Sequence, residues 1–580
     1  TTRQFGTRIS VADLPVRIAI GGSGTTSAPT FTLIDPVPQL LNGAAITSAL
    51  TAANARPGQP FLGDSTLGNL VRGLTADGIT QVIIKISAQT VGQQFTIKLR
   101  PDQCAGLQPA TCADEYGVLF DPSDPPGAAL FVNTTDLGPV TVASVDTASG
   151  PAAYAVYRGP IDFVRSGGST SFDEIAAQRA IYLTINGTNV NLPILLVRPP
   201  VFLVHGFNTD ASAWNNFIPL ISDQAVFKLY RVDYGKLLYT PSYIFYNEAN
   251  FSITYQPTTN YDIQSTDPPI NLDDIHRTGR YSHLGFTVST DFVIRSVTAQ
   301  LDTFRSGDNP LSLPVAATSG DFVAHSMGGF VIRYWTTNAI NYLNTLTYGQ
   351  GAIHKLITLG TPHLGTPQAV LSTLPQSSCS RTLAASTGNL FFANAGLVGS
   401  ALTIPGAAGE LAGDGIGITV SPALRQLESS RTRLRIATIA GDMTVLMPPL
   451  SFISHVIHVG CPATDPLASR YTTEAFHTMF DPVLATNPLT PIRFSHITEN
   501  DGSVPLTSAL MDSSLTNLLE CAGADPGRCF AGYAHSSGIA QFFSGPVNQL
   551  QDSSQSVALQ VIGLLNTSVR ADAFSSQRNQ

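Results

Sequence analysis

Asp321-Phe322-Val323-Ala324-His325-Ser326-Met327-Gly328-Gly329-Phe330 is the stretch whose reading decides the fold of this chain. An apolar run leads into a serine, and a helical pattern begins at the next residue. A strand that ends in Ser and turns at once into a helix pushes the hydroxyl out above the sheet, where it can act as a nucleophile. The start of that helix adds backbone N–H groups and a partial positive charge, which suit an oxyanion. Small residues at Ala324 and Gly328 let strand and helix lie close together. The strict pattern is Gly-x-Ser-x-Gly, and here Ala324 replaces the first Gly while keeping the position small.

Working outward, residues 192–204 form an almost continuous apolar run, as a strand buried on both faces of a parallel sheet requires. Strands are expected at 201–204, 228–232, 321–324, 355–358 and 435–440. Helices are expected at 212–220, 290–301, 327–343 and 551–565. This alternation implies an α/β domain with helices on both faces of its sheet, spanning 196–580. Three stretches do not fit as strand–helix units, near 233–285, 362–424 and 443–491. They read as large lid or cap insertions at the ends of successive strands. Residues 1–195 read instead as an N-terminal mainly β domain, with short strands at 81–87, 94–99, 129–132, 140–145, 153–157 and 181–185 between turn residues. Two helices are expected there, at 67–74 and 172–178.

Ala324-His325-Ser326-Met327-Gly328-Gly329 resembles the nucleophile elbow of secreted bacterial lipases and esterases of the α/β-hydrolase superfamily. Leu203-Val204-His205-Gly206-Phe207 resembles their oxyanion strand and loop. The segment Thr358-Leu359-Gly360-Thr361-Pro362-His363-Leu364-Gly365-Thr366 is similar to the one that ends the strand after the elbow. The resemblance covers about 200–545 and leaves the N-terminal region outside. It implies the α/β-hydrolase fold, Ser326 as nucleophile, and an oxyanion hole made by the backbone N–H groups of Phe207 and Met327. His205 reads as a residue that holds its loop in shape, and Trp214 as core or cleft wall. The order in this fold is Ser, then acid, then His. Glu499-Asn500-Asp501-Gly502-Ser503-Val504 resembles the stretch that carries the acid in a group of such lipases, so Asp501 is favoured and Asp442 is the second candidate. Only His535 follows Asp501. His496 would need Asp442, and His455, His458 and His477 read as packing residues. The chemistry requires no metal or organic cofactor. Asp262, Asp273 and Asp274 could hold a structural calcium of the kind found in some lipases. The expected activity is hydrolysis of carboxylic esters with an apolar acyl part through an acyl-enzyme. Amide, thioester or phospholipid acyl hydrolysis on the same triad, and a non-catalytic binding protein of this fold, stay open.

Composition narrows the partners. Of 580 residues, 12% are charged and 43% hydrophobic, with a net charge of -9. That is about half the usual charged fraction of roughly 25%, and no basic stripe suits nucleic acid. Gly and Pro, at 49 and 39 residues, indicate much turn and loop. No apolar run is long enough to span a membrane. The six Cys suggest disulfides Cys104–Cys112 and Cys521–Cys529, and Cys379 with Cys461. With a start that lacks Met, they point to a processed or truncated product and a secreted or extracytoplasmic location. Oligomeric state is not readable from the sequence.

Overall fold

The apolar run at 192–204 divides into two strands, Ile194–Val197 and Val201–Val204, that belong to different sheets. Pro199 and Pro200 stand between them, and proline has no N–H to carry a ladder across. The structure, a computed structural model, describes residues 30–36, 68–122, 139–234 (except 148, 166–169, 208, 219 and 223–224), 244–247, 252–255, 285–366, 410–411, 421–429, 434–442, 504–511 (except 505), 528–535 (except 532), 548–551 and 555–576.

Val201–Val204 sits inside a seven-stranded sheet in the order Leu229–Val232, Val201–Val204, Gly320–His325, Ile353–Leu359, Arg435–Asp442, Cys529–Ala531, with Ser575–Ser576 beside Arg435–Asp442. Every pairing along that path is parallel, and only Ser575–Ser576 adds antiparallel. Phe202, Val204, Phe322, Ala324 and Leu356 enter one core with Val293 and Val297 of the helix Phe286–Arg305 and Phe330 of the helix Met327–Trp335. Val201, Leu203, Val323, Ile357 and Leu359 enter the opposite core with Trp214, Phe217, and Val557 and Val561 of the helix Gln555–Leu565. Burying each such side chain contributes about 1.5–3 kcal/mol. Because both faces are covered, the strands read as unbroken apolar runs. This is the α/β-hydrolase-like architecture expected, preceded by a β-rich stretch.

The sheet reverses its direction of growth at Val201–Val204. The next strand in sequence lies on one side of it and the third, Gly320–His325, on the other. Open α/β sheets bind ligands in the crevice at the carboxyl ends of the strands flanking such a switch. Val204 lies beside Ala324 in the register, so continuing both strands brings Gly206 to Ser326.

The N-terminal stretch forms an antiparallel sheet in the order Asn69–Val71, Phe31–Asp35, Gln81–Ser87, Ala152–Arg158, Val118–Phe120. A second runs Thr188–Asn189, Leu183–Ile185, Gln94–Leu99, Val140–Ala143. Both contribute to one apolar core containing Ile84, Ile97, Ala155 and Leu183. A third sheet joins Val315–Ala316, just before the elbow strand, to Gly73–Thr75, Ile194–Val197 and Gln178–Ile181. Buried polar contacts reinforce that junction. The Asp77 carboxylate accepts from the hydroxyls of Thr75, Thr80 and Ser319. His354 donates through Nδ1 to Asp321 at 2.7 Å and through Nε2 to the Ile161 carbonyl at 2.8 Å, while Lys355 lies 2.8 Å from Asp162.

Several local expectations differ from what forms. The helix expected at 67–74 is replaced by the strands Asn69–Val71 and Gly73–Thr75. Leu67, Leu70, Val71 and Leu74 have helical spacing, but glycine disfavours helix. A Cβ at Gly73 would stand 2.0 Å from the Leu195 carbonyl oxygen, so this residue serves a close strand approach. The expected helix at 212–220 is two 3-10 turns, Ala211–Trp214 and Leu220–Ser222, the first capped by Asp210. The helix expected at 172–178 is shorter, Thr170–Ile175, and a strand starts at Gln178. The elbow helix stops at Trp335, where the N–H groups of Thr336 and Thr337 turn to carbonyls three residues back, and a short helix follows at Ala339–Tyr342. The strand expected at 129–132 and the insertion at 443–491 lie outside the described residues. Of the insertion at 233–285, a two-stranded antiparallel pair is described, Ile244–Asn247 with Ser252–Tyr255. Of that at 362–424, residues 362–366, 410–411 and 421–424 are described.

Candidate active site

Ser326 ends the strand Gly320–His325 and caps the helix Met327–Trp335 with φ 53° and ψ −126°. That backbone region is suited to glycine and costs another residue about 1–3 kcal/mol. The conformation is held by a backbone bond from Ser326 N–H to the Leu359 carbonyl at 2.9 Å. The Ser326 carbonyl accepts from Thr361 Oγ1 at 2.8 Å and from Gly329 N–H at 3.1 Å. Two glycines make the turn fit. A Cβ at Gly328 would lie 2.5 Å from the His205 carbonyl oxygen, and one at Gly329 2.2 Å from Thr361 Oγ1.

His535 Nε2 lies 2.8 Å from Ser326 Oγ, and both residues are buried. The two are 209 positions apart in sequence. His535 follows the short strand Tyr533–Ala534, which pairs with Asn548–Gln549. Met327 opens the elbow helix, so its N–H belongs to the first turn, where no intrahelical acceptor exists. Gly206 meets Ser326 directly, since a Cβ there would be 2.7 Å from Ser326 Cβ. Phe207, next in the chain, is half-buried against the sheet core. Thus Ser326, His535, Met327 and the loop bearing Phe207 come together. Asp501 lies outside the described residues, as do His455, His458, His477 and His496. Asp442 is the last residue of its strand, beside Ala531. Val504, three residues past Asp501, is buried with Ala440 and Cys529.

The loop at 205–207 is braced by His205. Tyr234 stacks on its ring at 4.0 Å, gives its N–H to Nε2 at 3.3 Å, and gives its hydroxyl to the His205 carbonyl. The remaining proton on Nδ1 faces the Gly206 carbonyl at 3.0 Å. The segment 360–366 also touches the elbow, through Thr361. Burial first, and the Arg333 guanidinium second, hold His363 neutral, well below the ordinary imidazole range. Its Nδ1 accepts from Arg333 at 3.1 Å and its Nε2 donates to Thr358 Oγ1 at 3.0 Å. Ser508 pins the segment by accepting from Leu364 N–H and donating to the Gly365 carbonyl.

Two contributors escaped the sequence reading. Thr361 and His325 both touch the elbow, and their one signal was their nearness to Ser326 and to the Gly-Thr-Pro-His segment. The calcium candidates Asp262, Asp273 and Asp274 lie outside the described residues. Among the described residues, no three His, Cys, Asp or Glu side chains are grouped to hold a metal. Cys104 and Cys112 form a disulfide. Cys529 is also disulfide-bonded, whereas Cys379, Cys461 and Cys521 lie outside the described residues. Among the described residues no helix is long and apolar enough to cross a membrane.

The chain has a mixed α/β architecture of the α/β-hydrolase-like type, with a β-rich N-terminal stretch. A protein-family model described as "Putative serine esterase (DUF676)" matches residues 281–395. That span holds the helix before the elbow, the elbow itself and the segment 360–366, but neither Asp501 nor His535. No curated protein sequence matches the chain. Among solved structures, the mature form of lipase BlEst2 from Bacillus licheniformis is similar at 14% identity and a TM-score of 0.31, covering 64% of this chain and 92% of that one. The propeptide form of the same lipase is matched over 43% of its length. Phospholipase PlaB from Legionella pneumophila is similar at 12% identity and a TM-score of 0.29, covering 65% and 61%. EstA from Clostridium botulinum is similar at 15% identity and a TM-score of 0.28, covering 64% and 88%. At this level of likeness the activities of those proteins do not transfer to this chain.

Proposed function

We propose that this protein is a serine carboxylic ester hydrolase that cleaves esters with an apolar acyl part through an acyl-enzyme. The observation that carries the proposal is the 2.8 Å approach of His535 Nε2 to Ser326 Oγ on a strained strand-to-helix turn. His535 takes the Oγ proton as Ser326 attacks the ester carbonyl. The backbone N–H groups of Met327 and Phe207 receive the oxyanion. His535 then returns the proton to the leaving alcohol, and water, activated by the same imidazole, hydrolyses the acyl-enzyme. Asp501 is the proposed acid that orients His535. Support for it comes from chain order and from Val504 packing beside Ala440 and Cys529, near the strand end that leads towards His535.

The proposed organisation is a mainly β module at 1–195 and a hydrolase domain at 196–580 whose insertions shape the cleft. The apolar acyl preference is supported by sequence, through Phe391, Phe392, Leu397, Val398, Leu446 and Phe452 in the insertions. Apolar residues of this kind suit acyl chains met at a lipid or polymer surface. The disulfides favour a secreted or extracytoplasmic setting. The test is labelling of the full chain by a fluorophosphonate probe, with and without Ser326→Ala, beside a ladder of p-nitrophenyl esters of rising chain length and matched amides. Labelling lost in the variant, with ester turnover above amide turnover, is expected. A folded wild type that takes no label refutes the proposal.

A further inference from the structure

His325 and Ser326 are neighbours in the chain, and both hold His535. Ser326 Oγ meets the imidazole at Nε2, while His325 Nε2 lies 2.8 Å from the main-chain carbonyl of His535. Strand alternation explains how. His325 shares the parity of Val323, whose side chain enters the same core as Tyr533 and Leu550, on the segments that flank His535 and pair beside it. The two imidazole rings then lie with centroids 4.6 Å apart.

We propose that His325 is a positioning residue, whose Nε2–H grips the His535 carbonyl and so sets where the base stands relative to Ser326. The proposal rests on the reading of Ser326 and His535 as nucleophile and base. A carbonyl can only accept, so His325 Nε2 must carry the proton. His325 Nδ1 is buried without a hydrogen-bond partner and faces Gly206, where a Cβ would be 3.1 Å away. The ring is therefore the neutral tautomer, with its single donor committed to His535. Burial first, and the neighbouring His535 second, hold its pKa well below the ordinary imidazole value, in line with that tautomer. This contact fixes the backbone of the base, whereas a triad acid would fix only its ring. Both residues are buried, so removing the donor leaves the His535 carbonyl unpaired at a cost.

The experiment compares wild type, Ser326→Ala, His325→Leu, His325→Gln and His325→Asn as full chains. Turnover of p-nitrophenyl butyrate, fluorophosphonate labelling and thermal melting are measured for each. His325→Leu removes the donor at similar volume. Its kcat should fall about 10- to 100-fold, the scale of a displacement near 1 Å at a reacting group, with KM little changed. His325→Gln can present an amide N–H close to the lost Nε2 and should recover most of kcat. His325→Asn is too short to reach and should not. An unchanged kcat in His325→Leu, or equal losses in Gln and Asn, overturns the proposal. If His325→Leu fails to fold, the Gln against Asn comparison decides alone. Retained labelling in Ser326→Ala would instead remove the nucleophile reading, and the His325 proposal with it. Loss of labelling there with no effect at His325 would remove the His325 proposal alone.

Discussion

Gly206→Ala tests how closely the loop at 205–207 abuts Ser326, the proposed nucleophile. The new methyl would sit 2.7 Å from Ser326 Cβ and 3.1 Å from both the His325 carbonyl oxygen and its Nδ1. Carbon atoms pack at about 3.5–4.0 Å, so one side must retreat by about 1 Å. The Ser326 backbone is pinned by hydrogen bonds to the Leu359 carbonyl and from the Gly329 N–H and the Thr361 hydroxyl, and has no slack in its strained turn. The loop at 205–207 is then what moves, carrying the Phe207 N–H away. Oxyanion donors act at about 2.7–3.1 Å, and loss of one costs about 10²–10³ in kcat. KM should change little, because the contact is made in the transition state rather than to the ground-state carbonyl. The overpacking should also cost about 1–3 kcal/mol of stability. Steady-state kinetics on p-nitrophenyl butyrate, with active sites counted by phosphonate titration and folding followed by thermal melting, separates the two effects. An alanine variant that melts cooperatively and turns over like wild type would refute both the placement of the loop and the role given to Phe207.

Two further outcomes concern stability. For His354, burial alone lowers the pKa, but Asp321, by charge and hydrogen bond, and then Asp162 outweigh it and raise it above 6.5. A raised histidine stabilises fully below its unfolded value and loses that contribution as pH rises through the folded value. The melting difference between wild type and His354→Gln should therefore be largest below pH 6.5 and shrink above it, and a difference independent of pH contradicts the ion-pair account. Gly563 is exposed in the helix Gln555–Leu565 with nothing within 4 Å of an added Cβ, so Gly563→Ala should stabilise by about 0.5–1 kcal/mol in denaturant melts, and a lower midpoint would count against that helix.

The central sheet was legible because burial on both faces leaves a plain mark. Val201–Val204 formed with the bounds expected, and the strands from Gly320, Ile353 and Arg435 within one or two residues at most ends. The elbow was legible because Ser326 stands between an apolar strand and a helix. What the pattern could not convey was anything set by contact across the sheet. The glycines at 68 and 73 overrode a helical spacing because Gly73 faces the backbone of Leu195. The turns at 211–222 are held by Asp210 and by packing of Trp214, neither of which has a periodic signature. His325 gave no sign of its role because its partner, the His535 carbonyl, is 210 residues away.

The elbow motif also shows which of its small residues is indispensable. In Ala324-His325-Ser326-Met327-Gly328-Gly329, Ala324 replaces a glycine of the strict pattern, yet its methyl is buried in the sheet core at an ordinary strand position. No left-handed backbone or close approach demands glycine there. Gly328 is different, since its Cβ would meet the carbonyl oxygens of Val204 and His205, the end of the strand that leads into the loop at 205–207. Gly329 is different again, since it makes room for Thr361, whose hydroxyl holds the Ser326 carbonyl. The second half of the motif thus sets two distances at once, helix to loop and helix to the strand beyond, while the first half sets only packing. The degeneracy at 324 therefore costs the site nothing, whereas a side chain at 328 would displace the elbow helix and the loop together.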